Sequence, residues 1–216
     1  MPSDVNVTTY DGRAYLKAID ERYDVIIVDA YQDISVPFQM SSTEFFTEVK
    51  NHLNNNGVMV INMNMRGETK DSINAYLSDT ISTVFKNVYT VDASGWTNRE
   101  LFASNSEDMI SNLEKNISAL NNSESSFYSL SNTDAENNSK NTFELSSAKN
   151  AELASMMDTV SENLVKYNAG SYILTDDKAP VEVLSMRVLD KMIQEEVGYY
   201  KDIYHKKGLK GLLDEL

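Results

Sequence analysis

The chain has 216 residues, 33 of them acidic and 19 basic, for a formal charge of -14. That length supports one domain with a real core, or one domain with an appendage, and so acidic a balance excludes a protein that grips nucleic acid through its phosphate backbone. There is no cysteine, which removes disulfides, thiolate metal sites and thiol nucleophiles together and fits a reducing, cytoplasmic setting.

In chain order, Val5–Tyr10 reads as a short strand, and Asp11 with Gly12 opens a helical stretch through Ile19. Tyr23–Asp29 (YDVIIVD) is an unbroken β-branched run, the pattern of a strand buried on both faces. After a loop holding Pro37, Ser41 or Ser42 can cap a helix with apolar residues Phe45, Phe46, Val49 and Leu53 at helical spacing. The run Asn54–Gly57 is expected to end that helix, because Asn and Gly tolerate the left-handed cap. Gly57–Met63 reads as a second buried strand, and Lys70–Phe85 as an amphipathic helix on Ile73, Leu77, Ile81 and Val84. Val88–Asp92 and Glu100–Ser104 read as two last strands, antiparallel neighbours across a turn at Gly95.

This alternation predicts an α/β fold with a mostly parallel, doubly wound sheet, whose ligands sit beyond the carboxyl ends of the strands. The composition then shifts. Residues 105–147 are crowded with Asn, Ser and Glu; Ser106–Leu120 can form a helix, while Asn121–Asn141 is expected to be a mobile insertion. Helical pattern resumes near Leu145 and runs to Tyr167, Gly170–Val181 reads as a loop or short strand, and Val183–Leu216 is helical with interruptions near Gly208 and Gly211. The division expected is a partial core at 1–104, an insertion at 105–147 and a helical C-terminal region at 148–216.

Several residues carry candidate chemistry. Asp29 ends a strand at the position that faces the crevice of a doubly wound sheet, where a carboxylate either binds a ligand or caps the next turn. Asp11 and Gly12 hold the equivalent place after the preceding strand, and Asp11 either meets a ligand's amine or caps the helix at Arg13. Asp176 and Asp177 fall in a loop and, taken alone, read as a solvated acidic turn. His52 and His205 stand without a second ligand at zinc spacing, so no metal is expected. Tyr199, Tyr200 and Tyr204 read as helix packing, and Trp96 as a turn aromatic over the core. No apolar run reaches the ~18 residues of a membrane span and no targeting segment is visible, so the chain reads as soluble, without membrane contact.

The succession YDGRAYL, YDVIIVDAYQD and VPFQMSSTEFF resembles the second half of the spermidine synthase (polyamine aminopropyltransferase) family, especially its bacterial membrane-fused branch. GVMVINM, VYTV, NRELFAS and ILTDDKAPVE agree with the later pieces in the same order. The resemblance covers residues 4–104 and about 172–190. It implies a Rossmann-like sheet of the class I methyltransferase type, N-terminally truncated and extended by C-terminal helices. It also implies transfer of an aminopropyl group from decarboxylated S-adenosylmethionine, as co-substrate, to a polyamine such as putrescine, with no further cofactor.

Under this resemblance Asp11, with Gly12 and Ala30, would meet the nucleoside, and Asp29 would be the catalytic carboxylate, assisted by Tyr31 or Asp33. The family's D-S-[ST]-D motif is altered here to Asp29-Ala30-Tyr31-Gln32-Asp33, with one residue more and no serine, so Asp33 matches the second Asp only loosely. The glycine-rich loop and ribose-binding acid that precede Asp11 in a complete domain are not in this sequence. The chain alone is therefore expected to be weak or inactive. Without the two strands that loop accompanies, Val25–Val28 would have an open edge, covered by Val5–Thr9, by a second copy or by an N-terminal half on another polypeptide. Two competing readings are an S-adenosylmethionine-dependent methyltransferase on the same sheet and a non-catalytic relative that binds another protein.

Overall fold

The computed structural model describes residues 5–30, 36–63, 71–93, 98–122, 127–129, 142–144 and 147–213. Asp11 caps α1 (Gly12–Ala18) by accepting a hydrogen bond from the Ala14 amide. β1 (Tyr23–Val28) is followed, past Pro37, by a short 3-10 turn at Phe38–Met40 and by α2 (Thr43–Asn51). Ser42 caps α2, accepting from the Phe45 amide, and Glu44 in its first turn with Lys50 in its last suits the helix dipole. β2 (Leu53–Met63), α3 (Ile73–Val84), β3 (Asn87–Asp92) and β4 (Arg99–Ser104) complete the first part. α4 (Met109–Asn122), the short strands β5 (Phe127–Ser129) and β6 (Thr142–Glu144), α5 (Ser147–Asn163), β7 (Val165–Lys166) and α6 (Val181–Leu213) follow.

The five-stranded sheet has the order β1-β2-β4-β3-β7, and the fold is a Rossmann-like α/β arrangement. β1 and β2 are parallel; β4 runs antiparallel to both β2 and β3, and β7 antiparallel to β3. The expectation of a mostly parallel sheet is thus corrected: among the described strands only β1 and β2 pair that way. The cause is the insertion of β4 between β2 and β3. β1, β2 and β3 still point the same way, so their carboxyl ends lie along one edge of the sheet.

Four sequence expectations shift. Val5–Thr9 is not a strand and pairs with nothing in the sheet; Val5 and Val7 are exposed. An isolated extended segment has no ladder to hold its backbone groups, so it does not cover the β1 edge. The α2 helix stops at Asn51 with His52 as its C-cap, and Leu53 to Gly57 belong to β2, where the pairing slips between Tyr23↔Leu53 and Val25↔Val58. Gly57 is tight there: a Cβ would lie 3.0 Å from the Asn54 carbonyl oxygen. The expected helix through Tyr167 ends at Asn163, and Val165–Lys166 adds β7 to the sheet. Within the expected insertion, β5 and β6 form a two-stranded ladder, and the residues between them lie outside the described ones.

The core packs α2 and α3 against β2 and β4. Phe45, Phe46 and Val49 from α2, Ile73, Leu77 and Ile81 from α3, Met59, Ile61 and Met63 from β2, and Leu101 and Ala103 from β4 are all buried. Leu174, Val181 and Leu184 from the C-terminal region join them. In β3 the successive residues Thr90 and Val91 are both buried, so this strand is covered on both faces. β1 is not. Val25 and Ile27 are 54% and 69% exposed, while Val28 is 4% exposed; only the face toward α2 and α3 is covered among the described residues, which corrects the expectation of burial on both sides. In α6, Gly208 at φ +68 breaks the helical geometry where an interruption was expected, and no described helix is long and apolar enough to cross a membrane.

Leu77→Ala is expected to cost roughly 2–5 kcal/mol in chemical denaturation, and Ile27→Ala less than about 0.5 kcal/mol, despite their similar side-chain volumes. Equal losses would mean that the β1 outer face is covered in solution.

Candidate active site

Strand direction places Asp29 directly after β1, at the carboxyl edge of the sheet, with its side chain exposed. One strand over, Val28 pairs with Ile61, so the next residue of β2 is Asn62. The Asn62 side-chain amide donates to Asp29 Oδ1 at 3.1 Å. Its own carbonyl accepts from the Asn98 side-chain amide at 3.1 Å. Asn62 also stands opposite Glu100 in the β2–β4 ladder, because β4 enters the sheet at the edge where β1 and β2 leave it. Three strands therefore line up Asp29, Asn62 and Glu100. Desolvation raises the Glu100 carboxyl above its ordinary range, and the negative charge of Asp29 pushes the same way. Arg99, the preceding residue, is tied to Asp92 at 2.6 Å across the β3–β4 hairpin.

A second polar cluster sits at the amino end of α2. Arg13 donates through Nε and Nη2 to Glu48 at 3.1 and 3.0 Å, and through Nη1 and Nη2 to Asp176 at 2.8 Å each. Nη1 also donates to the Gln39 carbonyl at 2.8 Å. Ser42 adds a hydroxyl hydrogen bond to Asp176, and the Asp176 amide donates to Glu44 Oε2 at 3.1 Å. The Arg13 guanidinium, with the Ser42 hydroxyl, holds the Asp176 carboxyl below its usual range against the opposing effect of burial. Asp176 is thus an exposed turn residue, as the sequence suggests, that also partners a buried arginine.

The chain from Tyr167 to Lys178 reaches that cluster along α3. Asp79, 3% exposed, accepts from the Tyr167 hydroxyl at 2.6 Å and from the amides of Gly170 and Tyr172 at 2.7 and 2.9 Å. Residue 170 must be glycine for this, since a Cβ would meet Asp79 Oδ2 at 2.6 Å. Leu174 then donates its amide to Thr80 Oγ1 and accepts from the Thr43 amide. Tyr172 stacks on Tyr76 with ring centroids 4.0 Å apart and donates its hydroxyl to Asp71; that hydrogen bond, the largest cause, pushes the phenol up to about 12.

Of the residues singled out from the sequence, Asp29 gains Asn62 as a partner and Ala30 follows it, half-buried. Asp11 and Gly12 begin α1, Asp11 capping it while its side chain stays exposed. Asp11 and Asp29 share no hydrogen bond, directly or through one residue, in the contacts described. Tyr31, Asp33 and Trp96 lie outside the described residues. Sequence reading missed Glu100, Asn62 and Arg13. Glu100 was within reach, since β4 was expected to run antiparallel and its first residues must then fall at the carboxyl edge; the pairing with Asn62 required the register.

A sequence profile of the spermine/spermidine synthase domain matches residues 2–94, the stretch that contains Asp11, Asp29 and Asn62. A probable polyamine aminopropyl transferase of Bifidobacterium longum is 48% identical over 218 aligned positions, which take in 98% of this chain. The chain belongs to the spermidine synthase family. It spans 45% of that relative's length. Among solved structures, a probable spermidine synthase from Corynebacterium glutamicum is similar at 16% identity and a TM-score of 0.41, over 77% of this chain and 55% of the other. Human methyltransferase-like protein 13, in complex with SAH, is similar at 17% identity and a TM-score of 0.43, over 77% and 61%.

Within this spermidine synthase relative, the pairing of Asp176 with Arg13 has a defined pH signature. Because the folded-state pKa of Asp176 is depressed, its stabilising contribution is complete above the ordinary carboxyl value of 3.8 and is lost as pH falls through the lower folded value. Asp176→Asn is therefore expected to flatten the acid limb of the stability profile below about pH 4. Thermal denaturation scans between pH 7 and pH 2.5 check this, and an unchanged acid limb counts against the pairing.

Proposed function

We propose that the chain carries the amine-binding and catalytic edge of an aminopropyltransferase, which moves an aminopropyl group from decarboxylated S-adenosylmethionine to a polyamine such as putrescine. The observation that supports this best is the row Asp29, Asn62 and Glu100 across three strands at the carboxyl edge, next to the sequence stretch shared with the family.

The chemistry asks for these groups. The acceptor's amine attacks the carbon bonded to the sulfonium; the new N–C bond forms as the C–S bond breaks, and methylthioadenosine leaves with the electron pair. The sulfonium is already a good leaving group, so the work left to the protein concerns the amine. A primary amine with a pKa near ~10.4 is protonated at neutral pH. In this reading Asp29 binds the ammonium, orients it and takes the proton, and such general-base help is worth about 10²–10⁴-fold. Asn62 fixes the Asp29 carboxylate by donating to Oδ1, leaving the other oxygen for the substrate. Glu100 adds a second carboxylate for the distal ammonium of a diamine, which would relieve the like-charge strain between the two acids. Asp11 and Gly12 take the nucleoside end, and Tyr31 or Asp33 assists Asp29.

Calorimetric titration with methylthioadenosine, followed by an aminopropyl transfer assay with putrescine, tests this reading. Because the chain alone is expected to be weak, the expected result is weak binding that is lost on Asp11→Ala, with the residual transfer rate falling toward background in Asp29→Asn. Glu100→Gln is expected to raise the KM for putrescine more than it lowers kcat. Full activity in Asp29→Asn sinks the assignment, and no binding at millimolar ligand sinks the nucleoside role of Asp11 and Gly12 in this chain.

Self-association through the edge of β1 belongs to the same proposal, since β1 is the end strand of the sheet and pairs on that side with no other described strand. Sedimentation velocity is expected to show mass increasing with concentration; a monomer at every concentration counts against it.

A further inference from the structure

Helix α1 has seven residues, and its one buried residue is Arg13, 8% exposed. A short surface helix normally docks through apolar side chains. Here Leu16 is only partly buried against the core, and the main anchor is a guanidinium. Its five N–H donors match the five hydrogen bonds it makes: two to Glu48 of α2, two to Asp176 and one to the Gln39 carbonyl. Two carboxylates from separate elements therefore converge on one planar cation that lies two residues beyond Asp11.

Such a node does something an apolar anchor cannot. Replacing a buried ion pair by well-packed apolar residues is often neutral for stability, but a forked guanidinium fixes direction as well as distance. The far side of the node is also held in place. The segment that carries Asp176 is pinned upstream by Asp79 and by Leu174 between Thr80 and Thr43. Asp176 is thus a reference point set by α2 and α3, and α1 is referred to it. A second cation nearby, Lys17, lies 3.4 Å from Glu48 but is 55% exposed and is a single point charge; it lacks the fork that ties both carboxylates to α1.

Resting on the nucleoside reading of Asp11, we infer that Arg13 is the positioning residue for the nucleoside end of the crevice: it sets the Asp11–Gly12 turn at a fixed place relative to the Leu174–Lys178 segment. Arg13 touches no reacting atom in this scheme. It acts through Asp11, whose carboxylate already caps α1 at the Ala14 amide and so moves with the helix. Losing the fork would cut the ties of α1 to Glu48 of α2 and to Asp176 of the segment, and α1 would lose its fixed place against both.

Arg13→Lys keeps the charge and removes the fork; Arg13→Met removes both. In each, amide exchange at Ala14 and Lys178 is expected to speed up by tenfold or more while amides of β2 and β4 keep their protection. The dissociation constant for methylthioadenosine is expected to rise on the order of tenfold to a hundredfold, with the KM for putrescine unchanged, as misplacing one substrate predicts. Lys is expected to lose less than Met. Unchanged exchange at Ala14, or unchanged methylthioadenosine affinity, overturns the inference. So does a uniform loss of protection with a matching fall in melting temperature, which would mark Arg13 as a general fold anchor. If the unsubstituted chain does not take up methylthioadenosine, the reading of Asp11 falls on its own, and exchange at Ala14 and Lys178 still decides whether Arg13 places the turn.

Discussion

The position of β4 governs the rest of this molecule. It lies between β2 and β3 and runs against both, so the edge where three strands end is also the edge where a fourth begins. The side chains near that edge consequently come from both ends of strands: Asp29 just after β1, Asn62 near the end of β2, and Glu100 near the start of β4. Two carboxylates and the amide between them are brought together by strand register, and the Glu100 carboxyl is raised first by its desolvation and then by the charge of Asp29.

The opposite constraint acts at the first helix. Among the described residues β1 is covered on one face only, with Val25 and Ile27 open, and α1 buries Arg13 in place of an apolar side chain. Ionic anchoring takes over, through Arg13, Glu48 and Asp176. The C-terminal region contributes to both halves of this arrangement. It adds β7 to the sheet, places Leu174 and Val181 in the core, and delivers Asp176 to Arg13 across 163 residues of sequence. A loop that reads as solvated acid in isolation is, in the fold, a fixed partner of the first helix.

Local chemistry was legible where a short stretch carries its own reason. Ser42 and Asp11 are helix caps by residue type and spacing; the 3.6-residue pattern of Ile73, Leu77 and Ile81 marks the buried face of α3; Gly208 breaks α6. The errors fall where pairing decides. Val5–Tyr10 has strand propensity but no neighbour. Asn54–Gly57 has the composition of a helix end, yet the pull of β1 draws it into a strand with an irregular register. β7 is two residues long and has no pattern at all; only β3 makes it a strand.

The sequence by itself determined the alternating elements, the α/β class, the place of Asp29 at a strand end and the likeness to spermidine synthases, because each rests on residues close together in the chain. Tertiary structure decided what those residues face. Pairing Asn62 with both Asp29 and Glu100, and Arg13 with Asp176, depends on strand register and on contacts between distant segments. The energies that select them, ladder alignment and the neutralisation of buried charge, belong to pairs of elements and have no signature in either one alone.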